Sequence, residues 1–344
     1  MSSFDIIVPC YNYARYLTCC VESILNQEGV DVRILIIDDA SSDDTERVGR
    51  ALAVGDRRIR FRRHPANEGN IRTYNEGIEW ARADYFLIIS ADDWLLPGSL
   101  ARVAKVFKTH PEVAFLHGIA AVATGTDIRP SLPSQPETLD YAVVTGQSFI
   151  EAACSDSAKN PVWTPTAVVR TSLQKSMGKY CAELPHAGDL HLWLRLACHG
   201  SIAKINAFQA VYRKHDSNMH RSYCKLKNLR QHLLAFESVF AEYADQISNR
   251  EALQLKYRRN LALSAIQLAQ YELMSKDRTA CGEYVGFAQD VYPNVTRSLA
   301  WGKMRVLQAI GHRAAYALKS VLTPAVRAMR RRPHLFRPPR WGGE

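Results

Sequence analysis

Short apolar segments alternate with segments of helical periodicity over the first part of the chain. Residues 5–8, 32–37 and 85–89 are nearly continuous apolar runs, typical of strands buried on both faces, and residues 59–63 form a weaker run. Between the first two runs, residues 14–27 carry apolar side chains at the spacing of one helix face. This alternation predicts an α/β fold with a largely parallel sheet.

The second half of the chain has more helical periodicity and fewer strand formers. Residues 113–122, 162–169 and 208–212 are predicted strands, residues 189–198 are a predicted helix, and the segments after residue 225 are mainly helical. The expected division is an α/β domain at residues 1–222, an α-helical region at 223–322 and a basic Pro/Arg-rich tail at 323–344.

The positive charge is concentrated at the end of the chain. The net charge is +10, and residues 297–344 hold eleven of the 44 Lys and Arg side chains but only one of the 34 acidic ones. This end has two interpretations: an interfacial helix with a basic anchor on an anionic membrane surface, or a helix packed on its domain with a solvated end. Nucleic acid is not an expected partner, because the charge is confined to a tail without a recognisable reading motif.

The cysteines and the N-terminal segment bear on the cellular compartment. The eight cysteines include no C-x-x-C pair, and the N-terminus lacks the positive stretch and long apolar run of a secretory signal. Nothing approaches the roughly 18 uninterrupted apolar residues of a spanning helix. We therefore expect reduced thiols and a cytoplasmic protein, peripheral on the cytoplasmic face of the membrane if the basic tail binds there.

Two pairs of acidic residues follow predicted strands. Asp92 and Asp93 come after the run at 85–89, and adjacent carboxylates in such a loop suit Mn²⁺ or Mg²⁺, which take oxygen ligands together with substrate phosphates. Asp38 and Asp39 follow the run at 32–37, where a carboxylate can accept hydrogen bonds from a nucleobase or ribose. In both places a solvated loop that caps the next helix is the alternative.

Asp189 and His215 are two further candidates. Asp189 begins a predicted helix, where it either favours the helix dipole or acts as a general base on an incoming hydroxyl. His215 lies beyond the last predicted strand with Arg213 and Lys214 beside it, which suits a contact to a metal or a diphosphate. The alternative is a polar histidine whose hydrogen bonds are made by neighbouring residues of the protein.

Taken in order, these segments resemble the family-2 glycosyltransferases, inverting enzymes with the GT-A fold. The resemblance covers about residues 4–220, and no single motif in it is specific. Its motifs are IVPCYN at 7–12, IIDDAS at 36–41, NEG at 67–69 and 75–77, SADD at 90–93, VVRT at 168–171, GKY at 178–180, DLHLWLR at 189–195 and YRKH at 212–215.

The resemblance implies a role for each candidate residue. It implies that the sheet is a GT-A-type sheet that binds a nucleotide sugar, and that Asp189 is the catalytic base. The implied donor contacts are Pro9 and Tyr11 against the nucleotide, Asp39 on the base, Asp92 near the ribose or sugar, Asp93 on the metal ion, and His215 at the ion or diphosphate. The chain departs from the family pattern at Gly188, where an acid often precedes the base, and at Thr73 and Tyr74, where Ala-Arg is usual.

The function expected from this resemblance is metal-dependent, inverting transfer of a sugar from a nucleotide-diphosphate sugar, with a UDP sugar as the default donor. The acceptor is a hydroxyl of a saccharide or lipid-linked saccharide, as in cell-surface polysaccharide synthesis. A nucleotidyltransferase is one alternative, although residues 9–12 offer no Gly-rich phosphate loop. The other is a catalytically silent module that binds a saccharide or a partner, against which the joint presence of the four candidate aspartates argues.

Overall fold

The computed structural model describes residues 1–124, 138–215, 218, 225–274 and 277–309. The described strands are β1 (Ser3–Cys10), β2 (Asp31–Asp38), β3 (Ile59–Arg63), β4 (Tyr85–Ile88), β5 (Trp94–Leu95), β6 (Val113–Thr124), β7 (Tyr141–Val144), β8 (Val168–Arg170) and β9 (Ser201–Lys214). The described helices are α1 (Ala14–Leu25), α2 (Thr45–Gly55), α3 (Asn70–Trp80), α4 (Ser99–Thr109), α5 (Gly146–Ser155), α6 (Thr171–Met177), α7 (Gly188–Ala197), α8 (Lys225–Glu242), α9 (Arg250–Met274) and α10 (Arg278–Val291).

Within the described residues, the strands form one sheet in the order β3-β2-β1-β4-β8-β6-β9-β5, with β7 paired to β9. β1 runs parallel to β2 and β4, and β2 runs parallel to β3. β8 is antiparallel to both of its neighbours, β4 and β6. The predicted α/β fold is confirmed. The parallel arrangement holds for the N-terminal strands, whereas the rest of the sheet is mixed.

Two predicted strands have different bounds in the structure. At residues 162–169, the segment Thr164–Thr166 forms a 3₁₀ turn and pairing starts at Val168. Pro165 lies in this turn and lacks the N–H that a ladder hydrogen bond requires. β9 begins at Ser201, before the predicted start at 208, because its first residues pair with β6 and β7. Periodicity along one strand does not report such distant partners.

Helices cover both faces of the parallel strands. Ile6 and Ile7 point to opposite faces of β1, and both are fully buried. On one face α3 lies very close to β1, because a Cβ on Gly77 would come within 2.4 Å of the Ile7 side chain. Only glycine permits this approach. The contact fixes α3 against the sheet, and α3 carries Asn75 and Glu76 toward the edge where β1, β2 and β4 end.

The chain divides into two compact units. The first comprises Met1–Ile150, Asn160–Tyr223 and Leu234–Ser248 and contains the sheet; the second comprises Glu151–Lys159, Cys224–Leu233 and Asn249–Glu344, where α9 packs on α10. The division at 222 and 322 stays a prediction, and the basic tail at 323–344 lies outside the described residues. No helix in the described ranges is long and apolar enough to cross a membrane.

Candidate active site

The site is built where the parallel strands end. Beyond β1 and β2, the Asp39 N–H donates to the Cys10 carbonyl at 2.9 Å, and the Ala91 N–H donates to the Pro9 carbonyl at 3.3 Å. These bonds continue the sheet past its strands and place residues 39 and 91 on opposite sides of the end of β1. The two acidic pairs predicted from the sequence therefore flank one edge, as expected for carboxyl ends of parallel strands.

Asp39 is buried and held by several donors. Its Oδ1 accepts the Glu68 N–H at 2.7 Å and lies 2.8 Å from His64 Nδ1, and its Oδ2 accepts the Gly69 N–H at 2.9 Å. His64 Nε2 lies 2.8 Å from Glu76 Oε2. Burial of the ring opposes its charge, but the hydrogen bonds to Asp39 and Glu76 raise the pKa of His64 overall. Asp39 thus organises the loop before α3, a role that leaves its predicted contact with the nucleobase untested.

Asp92 faces residues that follow β9. Its Oδ2 lies 3.0 Å from His215 Nε2 and accepts a 3.0 Å hydrogen bond from Asn218 Nδ2. Asn218 also accepts the backbone N–H of His215, so it holds both partners. The His215 ring stacks on Tyr16 with centroids 5.2 Å apart and meets Tyr13 edge-on at 5.5 Å. The structure therefore brings the predicted residues Asp92 and His215 into direct contact.

Asp93 points to a different partner from its neighbour. Its Oδ1 accepts the backbone N–H of Arg213 at 2.8 Å, while Arg213 Nε donates to the Asp92 carbonyl at 3.0 Å. Burial, and secondarily the charge of Asp92, raises the pKa of Asp93 well above its usual range. The Arg213 guanidinium lies over the rings of Tyr16 and Trp94. Asp93 thus joins the segment between β4 and β5 to β9.

Asp92 and His215, which are in hydrogen-bond contact, are the two predicted residues that could share a divalent cation. Adjacent ligands of an octahedral ion, each about 2.1 Å from it, lie about 3.0 Å apart, which is the separation of Asp92 Oδ2 and His215 Nε2. Over the described ranges, no three His, Cys, Asp or Glu side chains come close enough to hold an ion alone. An ion at Asp92 and His215 would need further ligands, such as a diphosphate and water, as is usual for Mg²⁺. The predicted role of Asp93 as a ligand stays a prediction.

Asp189 lies at the start of α7 and accepts two hydroxyl hydrogen bonds. Thr164 Oγ1 donates to its Oδ2 at 2.9 Å, and the Tyr180 hydroxyl donates to its Oδ1 at 3.0 Å. Burial raises the pKa of Asp189, and these two hydrogen bonds partly offset that effect. A carboxylate with a raised pKa and a fixed orientation is suited to take a proton. The arrangement can serve a general base, the role predicted for Asp189.

Asn75 and Gly188 fix the position of Tyr180. Asn75 Oδ1 accepts the Tyr180 N–H at 2.8 Å, and Asn75 Nδ2 donates to the Tyr180 carbonyl at 3.0 Å. A Cβ on Gly188 would lie 3.0 Å from the Tyr180 ring. The departure from the family pattern at Gly188 therefore makes room for Tyr180 beside Asp189.

The remaining predicted residues lie on the open side of this edge. Pro9 is partly exposed, and Tyr11 is 47% exposed. Their predicted contact with a nucleotide stays a prediction. Sequence reasoning did not assign a role to Tyr13. Burial raises the pKa of its phenol, and the charges of Asp92 and Asp93 raise that pKa further. Sequence reasoning also assigned no role to Thr164, and no motif of the chain points to that residue.

This sheet, with its acidic carboxyl edge, is a GT-A-type fold. Residues 1–349 of TarS from S. aureus, in complex with UDP-GlcNAc, share the fold with a TM-score of 0.54 at 16% identity, over 86% of this chain and 92% of that one. The mannosyltransferase PcManGT from Pyrobaculum calidifontis, in complex with GDP-Man and Mn²⁺, gives a TM-score of 0.53 at 17% identity, over 92% and 86%.

Sequence comparison then identifies the family. Residues 5–155 match the model of glycosyl transferase family 2. An uncharacterized glycosyltransferase of Nostoc sp. is 28% identical over 227 residues, which are 63% of this chain and 66% of that relative, just under two thirds of its length. Residues 5–155, which hold β1 to β7, are therefore assigned to glycosyl transferase family 2. The predicted family and fold are confirmed.

Proposed function

We propose that the chain transfers a sugar from a nucleoside-diphosphate sugar, UDP-linked in the first instance, to a hydroxyl of a saccharide or lipid-linked saccharide with inversion. The observation that carries this proposal is the environment of Asp189. Two hydroxyls hold its carboxylate, burial raises its pKa, and Asn75 fixes one of those hydroxyls through Tyr180. A base in this environment suits a reaction in which a proton is removed from the acceptor hydroxyl.

The proposed reaction is a single displacement. Asp189 takes the proton of an acceptor hydroxyl as that oxygen forms a bond to the anomeric carbon. The bond from this carbon to the diphosphate breaks, and its electron pair leaves with the diphosphate oxygen. Thr164 and Tyr180 use two of the roughly four lone-pair positions of the Asp189 carboxylate, which leaves capacity for the acceptor.

The donor end of the site lies at the acidic edge of the sheet. We place the nucleotide against Pro9 and Tyr11 and the base at Asp39. Asp92 and His215 would hold a Mn²⁺ or Mg²⁺ ion, whose charge would stabilise the departing diphosphate. The bound donors of TarS and PcManGT carry different nucleotides, UDP and GDP, so the choice of UDP for this chain needs its own test.

The test uses purified chain, Mn²⁺ and a panel of UDP and GDP sugars, with release of the nucleoside diphosphate as the readout. Asp189→Asn should bind UDP as the native chain does but lose transfer by at least about 100-fold, the lower end of the range for general base catalysis. The exposed Asp156, whose carboxylate pairs with the nearby Lys159, provides the control Asp156→Asn. Normal turnover by Asp189→Asn would refute the assignment.

We also propose that the enzyme works on cell-surface polysaccharide at the cytoplasmic face of the membrane, held there by its basic tail. The support is the charge of residues 323–344, which lie outside the described structure. Replacing Arg330, Arg331 and Arg332 by Gln in the full chain should reduce flotation with phosphatidylglycerol vesicles. Vesicles of phosphatidylcholine alone serve as the control. Equal flotation of both chains with the anionic vesicles would remove the tail from membrane binding.

A further inference from the structure

Trp163 is an exposed aromatic side chain next to the proposed base. Its side chain is 43% exposed, whereas Val162 before it is 5% exposed and Pro165, two positions after it, is buried. The residue that follows it, Thr164, donates the hydrogen bond to Asp189 Oδ2. The chain therefore anchors this turn on both sides and leaves its largest apolar side chain facing solvent.

The turn that carries Trp163 is tightly held. The Trp163 carbonyl accepts two hydrogen bonds from Thr166, from its N–H at 2.9 Å and from its hydroxyl at 2.7 Å. The Thr166 hydroxyl in turn accepts the Gly118 N–H at 3.1 Å, which ties the turn to β6. A side chain on such a turn keeps its position, so a ligand that packs on it meets a preorganised surface.

Trp163 also contacts the other end of the site. Its ring centroid lies 5.7 Å from that of Tyr212, with the two planes inclined at 50°. Tyr212 directly precedes Arg213, whose N–H binds Asp93. The Trp163–Tyr212 pair, here called the aromatic platform, therefore joins the turn beside the base Asp189 to the part of β9 that binds Asp93.

We propose that the aromatic platform is a subsite for the acceptor saccharide, an inference that rests on the proposed function. The base must contact the acceptor hydroxyl, so the turn shared by Thr164 and Trp163 lines the acceptor side of the reaction. One face of a pyranose ring with equatorial hydroxyls is a patch of C–H groups, and such a face packs on an exposed indole. The indole thereby provides apolar contact to the sugar, and polar groups around the platform orient the sugar.

The experiment measures saccharide binding to the full chain saturated with UDP and Mn²⁺, by saturation-transfer difference NMR. The probes are the methyl β-glycosides of glucose, N-acetylglucosamine, galactose and mannose. Trp163→Ala should weaken binding of the preferred glycoside about tenfold, as expected for loss of an aromatic contact, while Trp163→Phe should stay within about threefold. Tyr271→Ala, which removes another exposed aromatic ring, should have no effect.

Donor hydrolysis without added acceptor separates this inference from the proposed function. Because water needs no platform, Trp163→Ala should lose much less donor hydrolysis than glycoside binding. Unchanged glycoside binding by Trp163→Ala, or no binding of any probe by the native chain, would overturn the subsite while donor hydrolysis still supported the transferase. If the native chain itself neither binds nor hydrolyses the donor, the proposed function would instead be overturned.

Discussion

Asp92 and His215 are 123 positions apart in the sequence, yet Asp92 Oδ2 and His215 Nε2 lie 3.0 Å from each other. The neighbouring Asp93 turns away from this pair and binds the backbone N–H of Arg213. Two adjacent carboxylates therefore face different partners, Asp92 a histidine that can bind an ion and Asp93 the backbone of the neighbouring strand. This division leads to two separate predictions.

The first prediction concerns metal binding. His215→Ala and Asp92→Asn should each lower the affinity for Mn²⁺ in the presence of UDP by at least about tenfold, because each removes a ligand or its charge. Asn218→Ala disturbs the hydrogen bonds that orient Asp92 and His215, so it should lower the Mn²⁺ affinity about 10–100-fold. Isothermal titration with Mn²⁺ measures these changes.

The control is His110→Ala, since His110 is partly exposed and pairs with Glu112 and Tyr141. Asp93→Asn in the same titration tests whether Asp93 is also a ligand. Native Mn²⁺ affinity in both His215→Ala and Asp92→Asn would place the ion elsewhere.

The second prediction concerns stability. Asp93→Ala leaves the buried N–H of Arg213 without its acceptor and should lower the free energy of unfolding by about 1–3 kcal/mol. Asp93→Asn keeps an acceptor oxygen and removes a charge that burial disfavours, so it should retain native stability. Urea unfolding separates the two variants, with Asp156→Ala as the exposed control. Equal losses in both Asp93 variants would mean that the charge, and not the hydrogen bond, is what matters.

The third prediction concerns the pH dependence of transfer. The hydrogen bonds from Thr164 and Tyr180 lower the pKa of Asp189 against the effect of burial. Thr164→Val or Tyr180→Phe should therefore raise that pKa, so that less of the base is ionised at acidic pH. The acidic limb of the pH–rate profile should move to higher pH.

The rate at alkaline pH should fall less than the rate at acidic pH. The profile of kcat/KM for nucleotide release measures the shift, and Thr109→Val, on the exposed face of α4, is the control. An acidic limb that stays in place in both variants would contradict the role of these hydroxyls.

The fourth prediction concerns His64. Its pKa is raised above the ordinary value because the hydrogen bonds to Asp39 and Glu76 outweigh burial. A group with a raised pKa in the folded state stabilises the protein fully below its unfolded pKa of about 6.5, and this contribution is lost as the pH rises through the folded pKa.

The native chain should therefore exceed His64→Gln in unfolding free energy by about 2 kcal/mol at mildly acidic pH, above the range where the carboxylates titrate. The difference should shrink toward alkaline pH. Urea unfolding at a series of pH values measures it, with His110→Gln as the surface control. A difference that grows with pH would show that His64 is neutral in the folded protein.

Part of the fold could be predicted from local pattern. The strands β1, β2 and β4 lie where apolar runs predicted them, because strands covered by helices on both faces must be apolar at nearly every position. The two-residue strand β5 and the partly exposed β7 were not predicted, because neither has a distinctive apolar run. Their pairing with β9 depends on partners at least 58 positions away.

The candidate site divides in the same way. The sequence by itself determined the apolar strands β1, β2 and β4, the resemblance to the family, and the position of Asp39, Asp92, Asp93 and Asp189 at the ends of strands or the start of a helix, because periodicity and motif spacing are local properties. Only the tertiary structure decided that Asp92 faces His215 while Asp93 faces the backbone, and that Thr164 and Tyr180 hold Asp189. Those contacts depend on strand register and helix packing, which bring distant residues to one edge and are fixed only when the whole core is formed.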